Sequence, residues 1–404
     1  MSYFNTIGIY GAGDTPSVDA FGRFRISSPT TIFESKQLDD SVSLFWLIKT
    51  IGNATSSYVQ SHAGTLLMCT GSNSSIIRQS KQRMNYQPAK SQEIVMTSNF
   101  TQGVNGVVKR VGYFDGSNGI YFVQSGSSFG VGLRSGMDGI VADTFISQSN
   151  WNKDKFDGSG PSGAILNITA SQIYFADFEW LGVGRIRYGI FNAGVPHYVH
   201  EIYNTNTLTS VYMSSPNLPI RYEIINSGSA GATASLLTLC SAVISEGGLD
   251  KVGVLRSIDM GINAQSIAVS AYNPLLAVRL KTNAPNSTIT PTAFSVVETV
   301  GSNVYKWALL LNPITSSNFT FVDLPNSSLQ YSTGSSVINI TETTKLYSGY
   351  GSDVFSPLLI SVDELGIIGT DIDGNVDTLV LAVQNQAGAG SLSVLGSLSV
   401  RIIG

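Results

Sequence analysis

Arg185-Ile-Arg-Tyr-Gly-Ile-Phe191 puts Ile186, Tyr188 and Ile190 on one side of an extended chain and Arg185 and Arg187 on the other. That period of two is a strand signature. Asn192-Ala193-Gly194 follows and reads as a hairpin turn into a further strand at Val199–Tyr203. The same alternation recurs at 377–383 and 393–403. Short runs of the kind lie at Ile94–Thr97, Val107–Phe114, Ile120–Gln124, Phe129–Leu133 and Ile173–Phe178. Others lie at Ile220–Ile225, Leu275–Leu280, Val304–Leu311 and Ser336–Thr341. Asp115-Gly116-Ser117-Asn118-Gly119 reads as a second hairpin turn. Strands at such spacing predict an all-β sandwich or barrel. The helix candidates are Leu236–Glu246 and a turn near Trp151–Lys155.

The 404 residues have room for two or three domains. Residues 1–30, rich in Gly, Ser and Pro, read as an extended N-terminal arm, and 31–258 as one large sandwich. Gly261–Ser270 reads as a joint, and 271–404 as a smaller β-sandwich domain. No fixed-period repeat suggests a solenoid or propeller.

Composition removes several classes. Charged residues make up 12% of the chain, against about 25% in an ordinary soluble domain. With 43% hydrophobic residues it is not a disordered sequence. The net charge of -4, with no basic run, argues against nucleic acid as a partner. No apolar segment is long enough to predict a membrane span. The start, MSYFNTIGIYGAGDTPS, lacks the basic and apolar regions of a secretory signal. Synthesis in a cytoplasm is therefore expected. Cys69 and Cys240 predict no disulfide framework.

Candidate chemistry is thin. His197 and His200 are three apart in a strand, which predicts opposite faces and no shared metal ion. No zinc or P-loop motif is present, and no cofactor or catalytic residue is expected. Asp177 and Glu179 share a strand face, and Glu201 could meet Arg185 or Arg187 across the hairpin. Such acids could serve a glycoside hydrolase, but a cross-strand ion pair is the simpler expectation. Asp371-Ile-Asp373-Gly374-Asn375-Val-Asp377 resembles a calcium loop in composition, yet has Ala382 where the closing Glu belongs. An Asp-Gly turn accounts for it equally well. Tyr86, Lys90, Trp151, Arg185 and Arg187 are candidate surface or ligand residues. Tyr113, Tyr121 and Tyr188 join them as candidate aromatics of a glycan-facing surface.

Two resemblances carry further expectations. Phe178-Glu-Trp-Leu-Gly-Val-Gly-Arg-Ile-Arg-Tyr-Gly-Ile190, the Asn-Ala-Gly turn and His197-Tyr-Val-His200 resemble the hairpin of concanavalin-like jelly-roll sandwiches. The metal ligands of legume lectins are not recognisable. The second resemblance rests on an ordered series of motifs. These are Val18-Asp-Ala-Phe-Gly-Arg-Phe-Arg25, Asn85-Tyr-Gln-Pro-Ala-Lys-Ser-Gln92, Gly112-Tyr-Phe-Asp115, Asn118-Gly119 and Asp157–Gly163. The Trp180 strand and Ser210-Val-Tyr-Met-Ser-Ser-Pro-Asn-Leu-Pro-Ile-Arg-Tyr-Glu223 complete it. Together they resemble a family of virion structural proteins of tailed bacteriophages over most of 17–250.

That resemblance implies a virion component, with no catalytic residues and no particular place on the particle; a tail, baseplate or fibre-associated protein is the role expected. A capsid-decoration or head-fibre protein is one alternative, and a carbohydrate-degrading tailspike another. Other virion proteins are the expected partners, with a homo-oligomer, most simply a trimer, and a host-surface glycan as further expectations. Phe21, Arg23, Phe24 and Arg25 are candidate assembly anchors, aromatics filling a groove while Arg makes charge-assisted bonds. The alternative is an arm folded back on its own sandwich.

Overall fold

The computed structural model describes residues 19–21, 28–42, 45–228, 233–248, 253–267, 271–284, 287–300, 303–333, 338–339, 344–352, 360–361, 368–386 and 392–403. Among these the chain is strand and turn, with short 3-10 segments and no α-helix. It divides into two compact units, Met1–Asp250 and Lys251–Gly404.

The described strands of the first unit are, in order, β1 (Pro29–Ser35), β2 (Trp46–Ile51), β3 (Ala54–Val59), β4 (Gly64–Thr70) and β5 (Ser74–Ser80). Then come β6 (Gln92–Asn99), β7 (Val107–Phe114), β8 (Gly119–Ser125), β9 (Ser128–Ser135) and β10 (Ala142–Ser147). The last are β11 (Gln172–Phe178), β12 (Ile186–Asn192), β13 (Val195–Ile202), β14 (Ile220–Asn226) and β15 (Thr233–Glu246). One sheet runs β13-β12-β11-β6-β15-β4-β3, with β1 also on β15. The other runs β10-β9-β8-β7-β14-β5-β2. Consecutive β6 and β7 lie in different sheets, and β15 and β14 return beside them. This wrapping of two antiparallel sheets is a jelly-roll sandwich, the concanavalin-like class expected.

Alternation builds the core. In β6 every second residue is buried, Ile94 and Met96 among them. Aromatics fill the space between the sheets. Phe122 lies 4.8 Å from Tyr174, and Phe100 meets Phe129 edge-on at 5.1 Å. Edge-on and tilted pairs of this kind suit the ring quadrupoles. The expected turns are present. Asn192 pairs with Val195 across Ala193 and Gly194, whose φ values of 52° and 80° are both left-handed. A two-residue hairpin of that hand matches the strand twist. At Asp115 the carboxylate accepts from the Ser117 and Asn118 amides, both at 2.8 Å.

The second unit is a smaller sandwich. One sheet holds Val254–Asp259, Leu392–Ile403, Thr288–Val300 and Ile360–Ser361, with Gln265–Ile267 also on Leu392–Ile403. The other is centred on Tyr272–Leu280, Thr378–Asn385 and Tyr305–Leu311. Leu276, Val278, Leu309, Leu381, Val394 and Leu398 are among its core residues.

Two expectations are corrected. Leu236–Glu246 is not helical: it lies in β15, paired with β4, β6 and β1. Flanking partners supply the backbone hydrogen bonds that a helix would have supplied internally. The domain limits 31–258 and 271–404, with a joint at Gly261–Ser270, also shift. Val254–Asp259 pairs with Ser397–Ile402, and Gln265–Ile267 with Leu392–Val394, so both belong to the second unit.

Candidate functional site

Apart from the Asp157–Gly163 loop, the described motif stretches behind the virion resemblance close on one junction in the first unit. At its edge, the Ala20 amide donates to Ser91 Oγ at 3.4 Å. Arg185 Nε donates to the Ala20 carbonyl at 2.9 Å and Arg185 Nη2 to the Asp19 carbonyl at 3.3 Å. The Trp180 amide donates to the Tyr86 hydroxyl at 2.9 Å, and the Tyr86 amide to Asn217 Oδ1 at 2.9 Å. Trp180 Nε1 donates to the Met213 carbonyl, and the Tyr212 hydroxyl to the Glu179 carbonyl. The Tyr113 hydroxyl bridges the Met84 and Pro216 carbonyls and accepts from the Leu218 amide. Asn118 Oδ1 accepts from the Ser214 amide at 2.9 Å. Phe178 stacks on Tyr86 at 5.4 Å.

Charge inside this junction is paired. Arg83 Nη1 meets Asp115 Oδ2 at 2.8 Å and the Asn217 carbonyl at 3.1 Å. Burial alone pushes the Asp115 carboxyl upward. The Arg83 charge and the two turn amides outweigh it and hold the group below the usual carboxylate range. Glu179 goes the other way: burial pushes it up, against the Arg185 amide and charge. The Asp157–Gly163 loop is fastened separately. Asp154 accepts from the Phe156 and Ser162 amides, and a Cβ at Gly160 would stand 2.0 Å from Asp154 Oδ1.

Of the acids singled out in the sequence, Asp177 forms a cross-strand ion pair, Glu201 pairs with cations outside the ladder, and Glu179 accepts from the Arg185 amide at 3.1 Å. Asp177 lies opposite Arg187 in the β11–β12 ladder. Arg187 Nε and Nη2 each meet an Asp177 oxygen at 2.6 Å, and the Tyr198 hydroxyl adds a third bond at 2.7 Å. Both side chains are fully buried. Glu201 meets Lys153 at 2.8 Å and Arg185 at 3.3 Å, and accepts from the Tyr203 hydroxyl.

The proposed ligand surface is therefore corrected at most positions. Tyr86, Trp151 and Arg187 are buried, as are Tyr113, Tyr121 and Tyr188. Their rings fill the sandwich or lie under arginines, and Arg187 is held by Asp177. Lys90 is partly buried and donates to Gln87 Oε1 and the Gly248 carbonyl. Arg185 keeps a small exposed fraction but holds the backbone of residues 19 and 20. Of the candidate anchors, Phe21 is described, and its amide donates to Asp19 Oδ1 at 3.0 Å. Arg23, Phe24 and Arg25 lie outside the described residues.

The histidine geometry is corrected too. The ladder shifts register opposite Tyr188 and Gly189, which makes Val199 an extra residue. Such a bulge breaks the alternation. His197 and His200 consequently both face the 151–156 segment, His197 against the Phe156 ring and His200 Nδ1 accepting from the Asn152 amide. Among the described residues no group of His, Cys, Asp and Glu is arranged to hold a metal ion. The 371–377 loop is a turn: Asp371 Oδ1 accepts from the Asp373 and Asn375 amides.

Sequence reasoning missed one feature, a layer of arginines over aromatics on the outer side of the seven-stranded sheet. Arg134 lies 5.6 Å from the Phe114 ring and 5.8 Å from Tyr121, with Arg110 at 5.5 Å from Tyr121 and Arg221 at 5.4 Å from Phe114. Glu223 bridges Arg110 at 2.7 Å and Arg221 at 2.6 Å, and Asp143 pairs with Arg134 at 2.7 Å. A shallow depression of about 260 Å³ opens beside it, between Arg110, Tyr121, Asp143 and Phe145. The signal was available: Arg110, Tyr121 and Arg134 alternate with residues of the opposite face in three neighbouring strands.

No family model and no curated protein matches the chain. Solved structures do. A Shewanella oneidensis protein of unknown function is 11% identical, with 58% of this chain and 94% of that one covered at a TM-score of 0.35. A legume lectin-like domain from Entamoeba histolytica is 14% identical, with 50% and 90% covered at 0.30. A glycoside hydrolase family 16 endo-glucanase from Bacteroides ovatus is 10% identical, with 52% and 99% covered at 0.33. Similarity at this level transfers neither ligand nor activity.

Proposed function

We propose that the chain is a structural, non-enzymatic component of a tailed-bacteriophage virion, tail-, baseplate- or fibre-associated. In this reading it assembles with other virion proteins and with copies of itself. One observation carries it: all the described motif stretches but Asp157–Gly163 meet in a single bonded junction that also holds Asp19–Phe21 to the sandwich. Residues committed in this way shape a subunit and the root of its N-terminal segment. The sequence places Arg23, Phe24 and Arg25 directly after that root. The acids of the hydrolase alternative support the same reading. Asp177 is fully buried against Arg187, and Glu201 is engaged by two cations.

Immunogold labelling of purified virions tests the proposal. Label at one fixed position on the particles is expected, and that position separates tail from head. Label confined to the soluble lysate overturns it. Degradation of a host polysaccharide by the wild-type chain, lost in Glu179→Gln or Glu201→Gln, would replace it with the enzymatic reading.

A further inference from the structure

Most buried guanidinium groups of the first unit meet carboxylates: Arg187 meets Asp177, Arg83 meets Asp115 and Arg221 meets Glu223. Arg78 on β5 does not. It is fully buried, and its Nη2 donates to the Ser41 carbonyl at 2.6 Å. Among the described residues its Nε and Nη1 reach no hydrogen-bond partner. The Trp46 ring lies 4.5 Å from its central carbon. Tyr222 stands opposite Arg78 in the ladder, with Ser241 beside the phenol. The hydroxyls of Tyr222 and Ser241 are also buried, and among the described residues neither reaches a partner at bonding geometry.

This leaves three N–H bonds, one on Nε and two on Nη1, and two hydroxyls without acceptors beside one enclosed positive charge. An unpaired buried cation is among the costliest features a core can hold. Burial pushes Arg78 down to about 10, so at neutral pH it is still charged. Tyr222 supplies no counter-charge, because burial pushes its phenol upward and keeps it protonated. Water could satisfy the donors but would not neutralise the charge.

We propose that the sandwich binds a monovalent anion of halide size at Arg78, with the Tyr222 and Ser241 hydroxyls as further donors. A single charge matches the single guanidinium, and a small ion suits an enclosed site with few donors. The site is independent of the virion reading.

Thermal unfolding of the full chain tests it, at constant ionic strength with sodium chloride replacing sodium gluconate. Raising chloride from its dissociation constant to a hundredfold above is expected to raise Tm by roughly 5 °C. Arg78→Met should abolish the dependence. If that variant fails to fold, the double variant Tyr222→Phe, Ser241→Ala should at least halve the slope. Bromide-soaked crystals should show an anomalous peak within hydrogen-bonding reach of Arg78. Equal Tm in both salts at every concentration, or bromide-soaked crystals with no peak at Arg78, overturns the proposal.

Discussion

The two units are both β-sandwiches, yet their interiors differ in kind. The second is largely aliphatic, and among its described residues Glu298 is the buried charge. The first buries Arg78, Arg83, Lys109, Arg134, Asp177, Arg187, Arg221 and Glu223. A chain with 12% charged residues thus places many of them inside one unit. The scarcity of charge, read alone, points to strand faces covered by other subunits. The structure shows a second destination, ion pairs across neighbouring strands. A core of this kind fixes its partners by bonding geometry, whereas an aliphatic core fixes them by volume.

Substitutions can break or sharpen this contrast. The largest effect is expected at Asp177. Asp177→Asn leaves Arg187 buried with no counter-charge and should cost about 3–5 kcal/mol. Urea unfolding of the full chain followed by the first-unit tryptophans would measure it. A loss under about 1 kcal/mol would remove the bonded-core reading. Replacing both partners, as Asp177→Leu with Arg187→Met, should recover most of the loss.

Leu398→Ala is the counterpart in the second unit. It should cost about 3 kcal/mol through the lost transfer energy and the cavity left behind. Trp307, which sits in that core, reports it.

Acid should weaken the first unit more gently. Arginines hold Asp115 and Glu223 below the usual carboxylate range against the upward push of burial. A depressed folded pKa gives stability that is complete above the unfolded value of about 4 and is lost as pH falls through the folded one. Melting temperature should therefore fall as pH drops below about 4, and fall less in Asp115→Asn. An unchanged slope in that variant would count against the Arg83 pair. The smallest effect belongs to the exposed Lys36–Glu34 pair at 3.3 Å. Lys36→Ala should move stability by less than about 0.5 kcal/mol.

The same contrast explains what could be read from the sequence. Leu392–Ile403 alternates buried and half-buried residues along most of its length, and the pattern is plain in the letters. The expected strand Val107–Phe114 matches β7 end to end. β15 misled because Leu236, Leu237, Leu239, Ala242 and Val243 fall at helical spacing. A bulge between Thr238 and Ser241 disturbs its alternation, so period two is weak there. The domain limit failed because Val254–Asp259 finds its partner in the last strand of the chain. At the candidate site, the Asp177–Arg187 pair was within reach of a hairpin argument. The burial of Tyr86 was not, since its hydroxyl answers the Trp180 amide 94 residues away.

The central claim is that the chain is an integral virion part. Quantitative mass spectrometry of gradient-purified particles, before and after a high-salt wash, tests it most directly. A fixed molar ratio to the major capsid protein, unchanged by the wash and between preparations, is the expected result. Loss of the chain on washing, or a ratio that varies from one preparation to the next, would contradict the claim.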